Sequence, residues 1–125
     1  MITEDYVSFE TAKLLKEKGF DGKCLAIYYP DGRLETFDTP FNYNIPGGTS
    51  DVISAPTLQM TMKWLREMKE IFIGIGCCDY PTLHKTMWIP EISTHDSVFP
   101  DSAIEYDSYE EACEAAIKYC LENLI

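Results

Sequence analysis

The chain has 125 residues, 46% hydrophobic and 13% aromatic, enough to fill the core of one domain and too apolar for an intrinsically disordered chain. A formal net charge of −11 argues against binding a nucleic-acid backbone or an anionic membrane surface, since both call for clustered lysine and arginine. Glu4 and Asp5 stand where a signal peptide needs positive charge, and the longest apolar run, residues 71–78, is eight residues against the roughly 20 of a membrane helix. The expectation is one cytoplasmic domain, with Cys24, Cys77, Cys78, Cys113 and Cys120 reduced and mostly packed as small core residues.

The first predicted element is a helix over residues 9–18. Ser8 is its N-cap, Glu10 faces the positive end, and Gly19 supplies the left-handed stop. Phe9, Ala12 and Leu15 share one face at helical spacing. Two β-rich runs follow, residues 24–29 and 33–37, around a Pro30-Asp31-Gly32 turn, and predict a hairpin. Residues 38–53 contain Pro40, Pro46, Gly47 and Gly48 without periodicity and read as a long loop.

A second helix is predicted over residues 55–69, with Pro56 in its first turn and a stripe of Leu58, Thr61, Met62, Leu65 and Met68. Residues 71–77 then read as a strand apolar on both faces, and so as an inner strand. Tyr80-Pro81 turns the chain, residues 86–89 return it, and Pro90 assigns the return strand to an edge. Residues 93–100 read as loop and residues 103–106 as a short last strand. Ser108 and Glu111 form a capping box for a third helix over residues 109–123, whose buried face holds Cys113, Ala116, Ile117, Cys120 and Leu124.

The order α-β-β-α-β-β-(β)-α defines an α+β fold, a mostly antiparallel sheet packed by three helices. It matches a circularly permuted ferredoxin-like sandwich. The two halves also rhyme, each with a helix, a strand, a Tyr-Pro turn and a return strand (Tyr29-Pro30 and Tyr80-Pro81).

Motifs that would carry chemistry are thin. Cys77 and Cys78 are adjacent on a strand and point to opposite faces, so with Asp79 and His84 they do not make a zinc site, and no metal is expected. A thiol nucleophile would need a base, and Cys78 with His84 or His95 is the candidate pairing. Gly74-Ile75-Gly76 lacks the third glycine and following helix of a dinucleotide fingerprint, so no cofactor is expected; its glycines read as room for a packing helix. His95-Asp96 with Glu91 reads as solvated surface, while Met60 and Trp64 are candidates for an adaptable docking patch.

Charge gives the clearest functional signal. Residues 91–125 hold nine acids against Lys118 alone, which is −8 of the −11. Glu105, Asp107, Glu110, Glu111 and Glu114 fall within ten residues at the start of the third helix. Glu110 and Glu111 serve the helix dipole there. On a shared face the five acids would present a duplex-like row of negative charge to a basic or DNA-binding host protein. The alternative is a small enzyme or small-molecule-binding domain that uses the 38–53 loop with Tyr28, Phe41 or Tyr43.

Three stretches carry a resemblance: Ser8-Phe9-Glu10-Thr11-Ala12-Lys13-Leu14-Leu15, Ser54-Ala55-Pro56-Thr57-Leu58-Gln59-Met60, and Tyr109-Glu110-Glu111-Ala112 with the helix it opens. Together they resemble a group of short uncharacterised proteins encoded by anaerobic gut bacteria, often within prophages or other mobile elements. That group has no assigned activity. The resemblance implies a small non-enzymatic binding or accessory protein of phage or mobile-element origin.

Overall fold

The computed structural model describes residues 2–45, 51–99 and 104–125. Pro46, Gly47 and Gly48 of the predicted loop, Asp101, and Ala103 of the predicted last strand lie outside them. Helix α1 (Phe9–Glu17) opens as its sequence dictates, with the Ser8 hydroxyl accepting the Thr11 N–H at 3.2 Å. It closes at Gly19, whose φ of +87° is a conformation glycine adopts without a steric penalty. β1 (Cys24–Tyr28) and β2 (Leu34–Phe41) form the first hairpin, and the Gly32 N–H donates to the Tyr29 carbonyl at 2.8 Å to close the turn. β2 runs four residues further than predicted and is exposed along its whole length.

The predicted loop ends in a strand. β3 (Ile53–Ser54) pairs with the other flank of β1, and the extended path continues beyond it. The Ala55 N–H donates to the Ala26 carbonyl at 2.9 Å, and the Pro56 carbonyl accepts the Val7 N–H at 3.0 Å. Helix α2 (Leu58–Met68) therefore starts three residues later than proline alone suggested, with Thr57 as N-cap accepting the Met60 N–H at 3.1 Å. Long-range backbone bonds outcompeted the local preference of Pro56 for a first helical turn. Trp64 also departs from expectation. It is buried edge-on against Phe20, with ring centroids 5.4 Å apart, so the suggested Met60–Trp64 docking patch does not exist. Met68, placed in the core stripe by periodicity, is 64% exposed.

β4 (Phe72–Tyr80), a 3₁₀ turn (Pro81–Leu83) and β5 (Lys85–Ser93) make the second hairpin, and β6 (Val98–Phe99) pairs with β5. The strands divide into two antiparallel three-stranded sheets, ordered β2-β1-β3 and β4-β5-β6. The α+β class, the three helices and the antiparallel pairing agree with the sequence; the single sheet of a ferredoxin-like sandwich is replaced by two. The rhyme between the halves also stops short of topology, because the middle strand is the first of one hairpin and the second of the other.

β4, expected inside a sheet, lies at an edge. Ile73 and Ile75 pack against the core from one face, while the opposite face carries the exposed Gly74 and Gly76. The run lacks polar residues because of those glycines, not because both faces are buried. Pro90 sits in the middle strand without breaking the β4–β5 ladder. The Trp88 N–H points away from β4, donating to the Tyr106 carbonyl at 2.8 Å, and two residues on the nitrogen of Pro90 points the same way.

Helix α3 (Tyr109–Asn123) has the predicted boundaries, and the Ser108 hydroxyl accepts the Glu111 N–H at 3.0 Å. Its small buried residues Ala112, Cys113, Ala116 and Cys120 let it lie close on β4 and β5 while also meeting α1 and α2. The core so formed draws on both halves, from Val7 and Leu15 through Leu65 to Ile92 and Ile117. No helix among the described residues is long and apolar enough to cross a membrane.

Candidate functional site

The five acids singled out in the sequence line one groove. Tyr106 pairs with Trp88 through two 2.8 Å backbone bonds, which pins the segment before α3 alongside β5. The opposite wall is the N-terminal segment, held by the bond from the Leu58 N–H to the Asp5 carbonyl at 2.9 Å and from the Tyr28 hydroxyl to the Val7 carbonyl at 2.6 Å. Between these walls and the first turns of α3 runs an open groove of about 790 Å³. Glu105, Asp107, Glu110, Glu111 and Glu114 line it together with Asp5, six carboxylates against Lys118 alone. Tyr6, Leu58, Tyr106 and Ala115 add apolar surface. A smaller cavity of about 220 Å³ shares Asp5, Leu58 and Glu110 and adds Gln59 and Tyr109, extending the groove along the start of α3.

The carboxylates are not equivalent. Oε1 of Glu114 accepts the Thr11 hydroxyl at 2.6 Å and the Ser8 N–H at 3.1 Å, so α3 caps α1 with this side chain. Its position in the sequence suggested no such structural duty. Glu105 accepts the Tyr80 hydroxyl, and that bond, followed by one with Cys78, pushes the phenol well above its ordinary range. Asp107 pairs with Lys85 at 2.8 Å and holds the ammonium proton more tightly than usual. Lys118, at the groove's border, is already paired with Glu10 at 3.1 Å, with Glu122 at 4.0 Å. Among the described residues, Asp5, Glu110 and Glu111 have no ion-pair partner and remain open to an incoming cation.

This chemistry suits a lysine or arginine side chain, whose methylene stem can lie on Tyr6 or Leu58 while its head meets carboxylates. Sequence reasoning missed the Asp5–Ser8 wall, because nothing local in that segment announces a meeting with residues a hundred positions away. Among the described residues, no group of three or more His, Cys, Asp or Glu side chains is placed to hold a metal ion.

The thiols fall into two sets. Cys24, Cys113 and Cys120 are buried, and burial pushes the first up to about 11, the last to about 12, and Cys113 upward as well. Protonated thiols of this kind are poor nucleophiles. Cys77 is exposed and Cys78 half-buried. The suggested pairing of Cys78 with His95 is excluded by register: Cys78 faces Met87 and Phe72 faces Ser93, so the two lie about 20 Å apart along the strands. His95 instead packs edge-on against Phe72, with ring centroids 5.4 Å apart, and sits 3.8 Å from Glu70, and His84 occupies the hairpin tip at φ +49°. Brief alkylation of the native protein is therefore expected to modify Cys77 first, and Cys24, Cys113 and Cys120 only after unfolding. Peptide mass mapping that finds Cys113 or Cys120 labelled as fast as Cys77 contradicts this burial.

Compared with known proteins, the chain matches no family model, no curated protein and no solved structure. The functional reading rests on the groove's own chemistry.

Proposed function

We propose that this is a non-enzymatic accessory protein that binds a lysine- and arginine-rich segment of a basic host protein, of the DNA-binding kind, in the groove beside α3. The observation that carries the reading is the convergence of six carboxylates on one groove with apolar and aromatic surface. Among the described residues only Asp107 of the six is in an ion pair, and Asp5, Glu110 and Glu111 have neither an ion pair nor a hydrogen bond to the carboxylate. The resemblance of its helices to short proteins of prophages and other mobile elements supports an accessory role in a host. Attraction between the groove and a cationic segment speeds encounter more than it prolongs the complex, and exposed charges are screened beyond roughly 8 Å at physiological ionic strength.

A synthetic peptide rich in arginine and lysine, titrated against the full chain by fluorescence anisotropy, tests this directly. Binding is expected at low salt and should weaken steadily as salt rises. Replacing Asp5 by Asn and Glu110 and Glu111 by Gln should weaken it about tenfold, or about 1.4 kcal/mol, mainly through a slower association rate. These three positions are chosen because they do not cap α1. No binding to the basic peptide, or binding indifferent to the triple neutralisation, rejects the proposal.

A further inference from the structure

Four strands end the two sheets, and three of them are protected against pairing with another chain. β3 and β6 are only two residues long. β2 carries Glu35, Asp38 and Pro40, two charges and a missing donor that discourage an incoming strand. β4 is open over most of its length. It is nine residues long, and from Phe72 to Cys78 it carries no charge and no proline, its single charge, Asp79, standing at the hairpin end.

Its free edge is also armed for pairing. Trp88 and, by alternation, Pro90 direct their backbone groups away from β4, so the Gly74–Glu91 and Gly76–Ile89 pairs carry the β4–β5 bonds. The N–H and C=O groups of Ile73, Ile75 and Cys77 consequently point out from the sheet, where no strand among the described residues meets them. The glycines add a second anomaly. A Cβ at Gly74 would meet nothing within 4 Å, and one at Gly76 would meet only the Ile89 carbonyl oxygen at 3.8 Å. Neither has the positive φ that favours glycine, and neither makes room for a helix, so the reading of them as packing glycines is corrected. Glycine inside a strand costs roughly 0.5–1 kcal/mol relative to alanine, and among the described residues no close contact requires it at either position.

We propose that β4 is a homodimer edge, pairing antiparallel with β4 of a second copy about a two-fold axis at Gly74. In this register Ile73 of one copy exchanges backbone bonds with Ile75 of the other. Phe72 falls opposite Gly76 of the second copy on the same sheet face, twice by symmetry. An aromatic ring laid over a cross-strand glycine is a known rescue of such positions. Centring the pair on Ile75 instead would set Gly74 against Gly76 and leave both bare. A second copy is the occupant this edge favours, because the filler for the glycine gap is in the strand itself. A chain of charge −11 repels its own copies, and an interface confined to the uncharged stretch from Phe72 to Cys78 avoids opposing like charges.

Sedimentation equilibrium of the full chain under reducing conditions is expected to show a monomer–dimer equilibrium. Gly74→Lys has room in the single chain and stands opposite Glu91 of β5, so folding and melting temperature should hold. Across the two-fold it sets ammonium against ammonium, and the dimer dissociation constant should rise at least about tenfold. Gly74→Cys, in a background with Cys77 and Cys78 replaced by Ser, should give a covalent dimer on mild oxidation, since the two positions face each other. A wild type that stays monomeric at every attainable concentration overturns the proposal. So does a dimer that ignores Gly74→Lys, or one that fails to cross-link through Gly74→Cys.

Discussion

Between pH 9 and about 10.5, unfolding free energy should fall by about 1 kcal/mol per pH unit, approaching at most about 1.4, for each of two buried thiols, Cys24 and Cys120. Both side chains are almost fully buried, and burial moves them from 9.0 to about 11 and about 12. A thiol with a raised folded-state pKa keeps its proton in the native protein at a pH where the unfolded chain has released it. The native state then binds more protons, so the stabilisation is complete below pH 9 and is lost as pH climbs towards the folded-state values. Ser54 opposes part of the effect at Cys24 by hydrogen bonding, which makes Cys120 the better probe. Urea titrations across the window should give a slope about 1 kcal/mol per pH unit shallower for Cys120→Ala than for wild type. Equal slopes would mean that Cys120 ionises as freely in the native protein as in the unfolded chain. The upper limit of the window avoids Lys85 and Lys118, whose ion pairs raise them above 10.5 and whose contributions are also lost at high pH.

Replacing Glu114 by alanine is expected to destabilise the fold by about 2 kcal/mol, the scale of leaving one buried donor unpaired. Thr11 is fully buried, and its hydroxyl donates to Glu114 across the α1–α3 contact; the Ser8 N–H donates to the same oxygen. Glu114→Gln keeps an acceptor oxygen at that place and should lose less than half as much. A shift within about 0.5 kcal/mol for the alanine variant, the range of ordinary surface changes, would remove the capping role. The pair also separates structure from binding. Peptide affinity should respond to Asp5, Glu110 and Glu111 more than to Glu114, whose carboxylate is already engaged.

Local chemistry alone set the helix boundaries where caps and stops lie within a few residues of each other. Ser8 with Gly19 marked α1, and Ser108 marked α3 to the residue. The Pro30-Asp31-Gly32 hairpin was legible for the same reason, as was the core face of α3 from the spacing of Cys113, Ala116, Ile117 and Cys120. The acids of the groove could be named because five of them crowd ten residues of sequence. Their surroundings could not, since Asp5, Tyr6 and Leu58 reach them only through the fold.

Composition and short-range pattern thus determined the α+β class, the three helices, the turn positions and the acidic character of the last third. Tertiary structure decided the rest wherever a segment had two comparable local options. Residues 53–54 became strand and residues 55–56 stayed extended because β1 and the N-terminal segment offered backbone partners, although Pro56 was equally suited to open a helix. Trp64 went inside because Phe20 met it there. Residues 71–78 were uncharged, but whether that meant an inner strand or an open edge depended on which strands came to lie beside them. Glu114 looked like one more surface acid until α3 crossed the start of α1 and gave its carboxylate two donors. Caps and turns are settled by neighbours a few residues away, whereas strand pairing and buried polar contacts are settled by groups that only folding brings together.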